Sequence, residues 1–172
     1  GTIEPRKNHL ALLAAWRRLP SKRPRLLVVG RIGWECDAIV PALRAAEAEG
    51  LVEWRQHVDD RALWRLLAGA RALVYPSAWE GFGFPPLEAM QLGVPVLAND
   101  TPARRELGDE AFEFVDADDP GAFAAALHRV LHHAASGRTT TRRRRLMGSR
   151  WTRRKRRNQP RRRFSRAAFL RA

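Results

Sequence analysis

The 172-residue sequence has one cysteine, Cys36, which excludes an internal disulfide framework and fits a reducing, cytoplasmic compartment. It has no apolar run approaching the roughly 18–20 residues of a membrane-spanning helix, and its first residues do not read as a secretory leader. It opens on glycine rather than methionine, so a fragment or a processed start is expected. Acidic residues are absent from residues 138–172, which carry 16 Lys and Arg. Residues 1–137 hold 16 Lys and Arg against 18 Asp and Glu, a net of −2, so the whole excess behind the formal charge of +14 lies in the tail. An argument from basicity towards nucleic acid therefore concerns the tail only. What is present suits one packed core: 45% of residues are apolar, with six Trp and seven Phe, which argues against global disorder.

The body alternates helical and extended patterns. Apolar residues recur at helical spacing in "NHLALLAAWRRL" (8–19), with Asn8 a candidate N-cap, and in "DAIVPALRAAEAEG" (37–50), "DDRALWRLLAGA" (59–70), "PPLEAMQLG" (85–93) and "DDPGAFAAALHRVLHH" (118–133). Short β-branched or apolar runs, "RLLVVG" (25–30), "LVEWRQ" (51–56), "ALVYPS" (72–77), "VPVLAN" (94–99) and "AFEFV" (111–115), read as strands between them. This order predicts an α/β fold, a Rossmann-like parallel sheet with helices on both faces. Such sheets bind ligands at the carboxyl ends of their strands. The expected domain is residues 1–137, and the Arg-rich tail 138–172 is expected to be disordered or aberrant.

Two loops on that expected rim carry chemistry. In "EPRKN" (4–8), Arg6 and Lys7 stand before a helix whose free amides already present partial positive charge. Cations there cost about 0.3–1 kcal/mol, a cost that makes sense if a diphosphate sits among them. A solvated basic pair is the plain alternative. In "SAWEGFGFPPLEAMQLGVPVLAND" (77–100), Gly81 and Gly83 let a ligand approach the backbone, and Pro85 and Pro86 set the entry to a helix. Glu88, placed on the first turn of that helix, can accept from two neighbouring hydroxyls, as a ribose offers, and Glu80 from hydroxyls of a sugar. Two acids that merely suit a helix dipole are the alternative.

The segment "EGFGFPPLEAMQLGVPVLAND" resembles the E-x7-E donor-binding segment of retaining glycosyltransferase family 4, whose members have the GT-B fold. "GTIEPRKN" resembles the phosphate-binding start of the C-terminal domain of that family, and "LLVVGRIGW", "ALVYPS" and "ELGDEAFEFVDADDPGAFAAAL" fall in its order and spacing. The resemblance covers about residues 1–133. It implies that Arg6 and Lys7 bind the donor diphosphate, with Gly1 at its border, and stabilise the leaving group. It implies that Glu80 contacts the transferred sugar, that Gly81, Phe82 and Gly83 offer backbone contacts, and that Glu88 holds the ribose. His57 and Val58 would lie near the nucleobase, although Gln56 stands where the family has glycine. The implied substrate is a nucleotide-diphosphate sugar, with no metal and no other cofactor. The wording "GTIEPRKN" and "GRIGW" is closest to mannosyltransferase-like members and points towards GDP-mannose. The family's acceptor domain and its histidine have no counterpart here. The chain therefore reads as the donor half of the enzyme, its first strand truncated to Gly1–Ile3, inactive alone and marginally stable.

Other features have plainer readings. "DADD" (116–119) suits helix capping better than a metal, and His128 and His132 form an i, i+4 pair without a catalytic Glu between them. The competing function is a basic module that tethers nucleic acid or, more readily, an anionic inner membrane face through the tail. A nucleotide-sugar epimerase would need further catalytic acids that the sequence does not offer.

Overall fold

Apolar runs too short for helices, each separated by one helical repeat, force the chain to build a sheet and cover it twice. The computed structural model describes residues 1–80, 83–105, 112–135 and 168–171. Its strands are β1 (Thr2–Ile3), β2 (Arg25–Val29), β3 (Arg31–Ile32), β4 (Val52–Arg55), β5 (Ala70–Tyr75), β6 (Val96–Asn99), β7 (Phe112–Val115) and β8 (Ala168–Arg171). The helices are α1 (His9–Arg17), α2 (Ile39–Ala48), α3 (Asp60–Ala68), α4 (Phe84–Gln91), α5 (Pro102–Arg105) and α6 (Pro120–Ala135), with a 3₁₀ turn at Pro5–Lys7. Among the described residues the main sheet has the order β4-β2-β8-β5-β6-β7, and β1 pairs with β3 in a separate two-stranded sheet.

β2 shows why the sheet is covered on both faces: Leu26, Leu27, Val28 and Val29 are all buried. Leu26 and Val28 join a core with Leu12, Trp16, Leu43, Phe123 and Leu127, from α1, α2 and α6. Leu27 and Val29 point the other way, to Leu63, Leu67 and Ala89 of α3 and α4. β4 buries only Val52 and Trp54, as an edge strand should. Trp16 is fully buried and still finds a partner, its indole N–H donating to the Leu51 carbonyl at 3.1 Å.

The expected parallel architecture is present: β2 with β4, β5 with β6, and β6 with β7 are parallel pairs. β8 is the exception, antiparallel to both β2 and β5. The basic tail was expected to stay outside the domain. Residues 138–167 lie outside the described residues, and residues 168–171 stand in the middle of the sheet.

At the upper end of β2, Gly30 is squeezed against the start of the chain. A Cβ there would lie 2.4 Å from the Gly1 carbonyl oxygen and 3.2 Å from Ile3 Cδ1. Since backbone cannot give way like a flexible side chain, Gly30→Ala is expected to cost about 1–3 kcal/mol. A shift of the urea midpoint at unchanged slope would register it.

Candidate functional site

Because β2, β4, β5 and β6 run in parallel, their carboxyl ends form one rim, and β1, parallel to β3, delivers the 3₁₀ turn to it. Proline at the first position of that turn fixes its entry. The Arg6 carbonyl accepts from the Ala78 N–H at 2.8 Å, which ties the turn to the exit of β5.

Arg6, Lys7 and Glu80 meet there, from segments more than seventy residues apart. Arg6 Nη1 lies 2.5 Å from Glu80 Oε2, and the Lys7 ammonium pairs with Glu80 Oε1. Arg6 Nε also donates to Glu4 Oε2 at 2.7 Å, while the Thr2 hydroxyl donates to Glu4 Oε1. The Glu80 side chain is 13% exposed. Burial pushes its carboxyl up, but the Lys7 ammonium and then the Arg6 guanidinium outweigh this and hold it below the usual carboxylate range. Two cations are thus stored against one carboxylate. An arriving anion with several oxygens can take over both, and Glu80 is then free to accept from hydroxyl groups.

Trp79 and three residues with no role expected from the sequence, Tyr75, Asn99 and Arg104, also shape this corner. The Tyr75 ring has two cations near it, Lys7 Nζ 5.6 Å from its centroid and the Arg104 guanidinium at 5.2 Å. Burial, followed by the Glu80 charge, pushes the Tyr75 phenol well above its ordinary value. Arg104 is buried and donates through Nη1 to the Asn99 carbonyl at 2.9 Å. Its Nη2 has no hydrogen-bond partner among the described residues. Asn99 donates from Nδ2 to the Ser77 carbonyl at 3.4 Å and accepts at Oδ1 from the Ala117 N–H at 3.0 Å. In the sequence Arg104 shows only as one Arg among many, four residues after "LAND". Trp79 is 66% exposed beside the cluster, with the Arg6 guanidinium 5.3 Å from its ring centroid.

Of the other expected site residues the structure describes Gly1, His57, Val58, Gly83 and Glu88. Gly83 takes the left-handed conformation, φ 63° and ψ 59°, where it opens α4, as its place in the loop predicted. α4 begins at Phe84, one residue earlier than expected, so Glu88 sits on its second turn rather than its first, half-buried. Gly1 borders Gly30 beneath the turn. His57 and Val58 follow β4; His57 is exposed, whereas the Val58 side chain is in the core with Leu27 and Leu63. Gly81 and Phe82 lie outside the described residues.

Asn8 takes the expected N-cap position of α1, its carbonyl accepting from the Leu12 N–H at 3.2 Å, but without the side-chain cap. It adopts φ 55° and donates instead to Asp118 Oδ1 at 3.2 Å. Capping accounts for "DADD": Asp119 Oδ1 accepts from the Gly121 and Ala122 N–H groups, and Asp116 Oδ1 from Asp118 N–H. His128 and His132 bring their Nε2 atoms to 3.0 Å on an exposed helix face.

Over 128 residues the chain is 40% identical to O-antigen chain mannosyltransferase B of Escherichia coli, covering 73% of this chain and 34% of that protein. It is 36% identical over 130 residues to the serotype-specific mannosyltransferase WbdA of Escherichia coli, covering 74% of this chain and 16% of that one. The chain thus spans about a third or less of these relatives. Among solved structures, sucrose-phosphate synthase from Thermosynechococcus elongatus superposes with a TM-score of 0.69 at 28% identity, over 83% of this chain and 37% of that one. Anabaena Alr3699/HepE in complex with UDP gives 0.71 at 20% identity, over 86% and 41%. Residues 1–146 match the family Glycosyl transferases group 1, and with a GT-B-like sheet carrying the paired rim loops, the chain belongs to that family.

Proposed function

We propose that this chain is the donor-binding half of a retaining glycosyltransferase, moving a hexosyl group from a nucleotide-diphosphate sugar to an acceptor. The observation that carries the reading is the storage of Arg6 and Lys7 on Glu80 at the strand-end rim. A diphosphate takes the two cations, and they neutralise the charge that grows on its oxygens as the glycosidic bond lengthens. Glu80, released, turns to the hydroxyls of the sugar that its former partners hold in place. Glu88 grips the ribose, and backbone of the Gly81–Gly83 turn lines the sugar and phosphates. His57 and Val58 border the base. The mannosyltransferase relatives favour a mannosyl donor such as GDP-mannose. The two cations do the work a divalent metal does elsewhere, so binding needs none. The acceptor is bound by a separate domain, and this chain alone transfers nothing.

Calorimetry with GDP, GDP-mannose and UDP tests the reading. Binding is expected to persist in EDTA. Glu88→Ala should weaken it by about 10- to 150-fold, the equivalent of one hydrogen bond to a charged acceptor at about 1.5–3 kcal/mol. Equal affinity for the Glu88→Ala variant, or no binding of any nucleoside diphosphate at millimolar concentration, would remove the proposal.

A further inference from the structure

β8 stands in a place that another strand direction also claims. Its backbone pairs Arg25 with Arg171 and Val28 with Ala168 on one side, and Leu73 with Phe169 and Val74 with Ala168 on the other. β1 lies in line with the same gap, one level nearer the rim. It pairs with β3, which continues β2 past Gly30, and the turn after it bonds to Ala78, just beyond β5. Gly1 lies against Gly30, two residues above the Val28 level at which β8 ends. The two backbones therefore meet end to end, running in opposite directions. A polypeptide that entered Gly1 as a continuation of β1 would run parallel to β2, along the same edge of Leu26–Val28 that β8 now occupies. One edge serves one strand, so the two occupants exclude each other.

The chemistry of the gap defines what fits. The neighbouring strands are buried on both faces, Leu26 and Val28 in one core and Leu27 and Leu73 in the other. Its occupant must be extended and apolar on both sides. Residues 167–170, "AAFL", are the longest apolar run in the tail.

We infer that the gap between β2 and β5 is a strand-binding site that the chain fills with its own residues Ala168–Arg171, and that this strand is exchangeable. It is separated from α6 by residues 136–167 in the sequence, and the cost of bringing two chain positions together grows only with the logarithm of that separation. Insertion leaves the parallel pairings of the sheet intact, so the occupant can leave without unthreading any other strand. Main-chain hydrogen bonds provide affinity, as in other cases of strand addition.

Phe169→Pro in the full chain tests this, because proline cannot sit in a central strand. Amide exchange at Leu26–Val28 and Leu73–Val74 should speed up by about tenfold or more. A labelled peptide with the sequence of residues 164–172 should bind the variant, restore slow exchange, and bind the unaltered chain at least about tenfold more weakly. Unchanged exchange in the variant, or equal peptide binding to both chains, overturns the inference. Should the variant fail to fold, the unaltered chain with a short Val- and Ile-rich segment placed before Gly1 gives the second arm. There the amides of residues 168–171 should lose protection while Leu26–Val28 keep theirs. Persisting protection at residues 168–171 would equally overturn it.

Discussion

Replacing Arg6 and Lys7 together by alanine is expected to lower nucleoside diphosphate affinity by about 10²–10⁴-fold, the loss of two charge-assisted hydrogen-bonding groups at about 1.5–3 kcal/mol each. The same change alters the free protein. Glu80, only 13% exposed, would keep its burial and lose both partners, so its carboxyl should move from below the usual range to above it. A thermal melt at neutral pH should then show a loss of stability, from a carboxylate left without compensation. Adding Glu80→Gln should recover that stability and leave the binding defect in place, because the neutral amide needs no cation. Calorimetry and melting of the two variants thus separate a binding role from a structural one. If the double variant still binds the nucleotide normally, the cations serve only to anchor Glu80, and the proposed donor site is wrong.

A second large effect concerns His9, the first residue of α1, which is 8% exposed. Burial first, and then Lys7 and the amino group of Gly1, lower its pKa from 6.5 to about 4. The unfolded chain takes up a proton below about pH 6.5, whereas the folded chain refuses it until about pH 4. Stability is therefore complete above pH 6.5, falls as the pH drops towards 4, and levels off below. The total loss is about 3 kcal/mol, from 1.36 kcal/mol per pKa unit. Urea midpoints of the unaltered chain at pH 7 and pH 4.5 should differ accordingly, and His9→Gln should flatten that difference. An equal acid loss in the variant would show that His9 is not the group responsible. Glu80 contributes in a separate window. Its depressed carboxyl gives stability that is present above the ordinary carboxylate value of 4.5 and disappears as the pH falls through the lower folded value.

The sequence already contained the body of the fold. "RLLVVG" could only be a strand covered twice, and Leu26 to Val29 are divided between two cores as that run requires. The aspartate pair at 59–60 marked a helix start without saying which residue caps it, and it is the Asp59 carboxylate that accepts from the Ala62 N–H at 2.7 Å. The pairing of Arg6 and Lys7 with Glu80 was legible only through loop order, since no local pattern connects residues so distant in the chain. Arg104 and Tyr75 escaped notice because their meaning is burial and mutual position, neither of which a composition reports. β8 escaped for a stronger reason. Four residues in a basic tail have little propensity to distinguish them, and the sheet edges on both sides decide their conformation. Glu88 was placed on the first turn because proline suggested the helix start at residue 85, whereas Gly83 sets it one residue earlier.

Asn99 joins three segments at the strand-end rim. One amide clasps the Ser77 and Ala117 segments, and the same residue's carbonyl receives Arg104. The loops that follow β5, β6 and β7 are therefore leaves of a single hinge. Lengthening any one of them would tilt the other two, so a change in what the mouth admits has to come from side chains along its lip and not from new loop lengths.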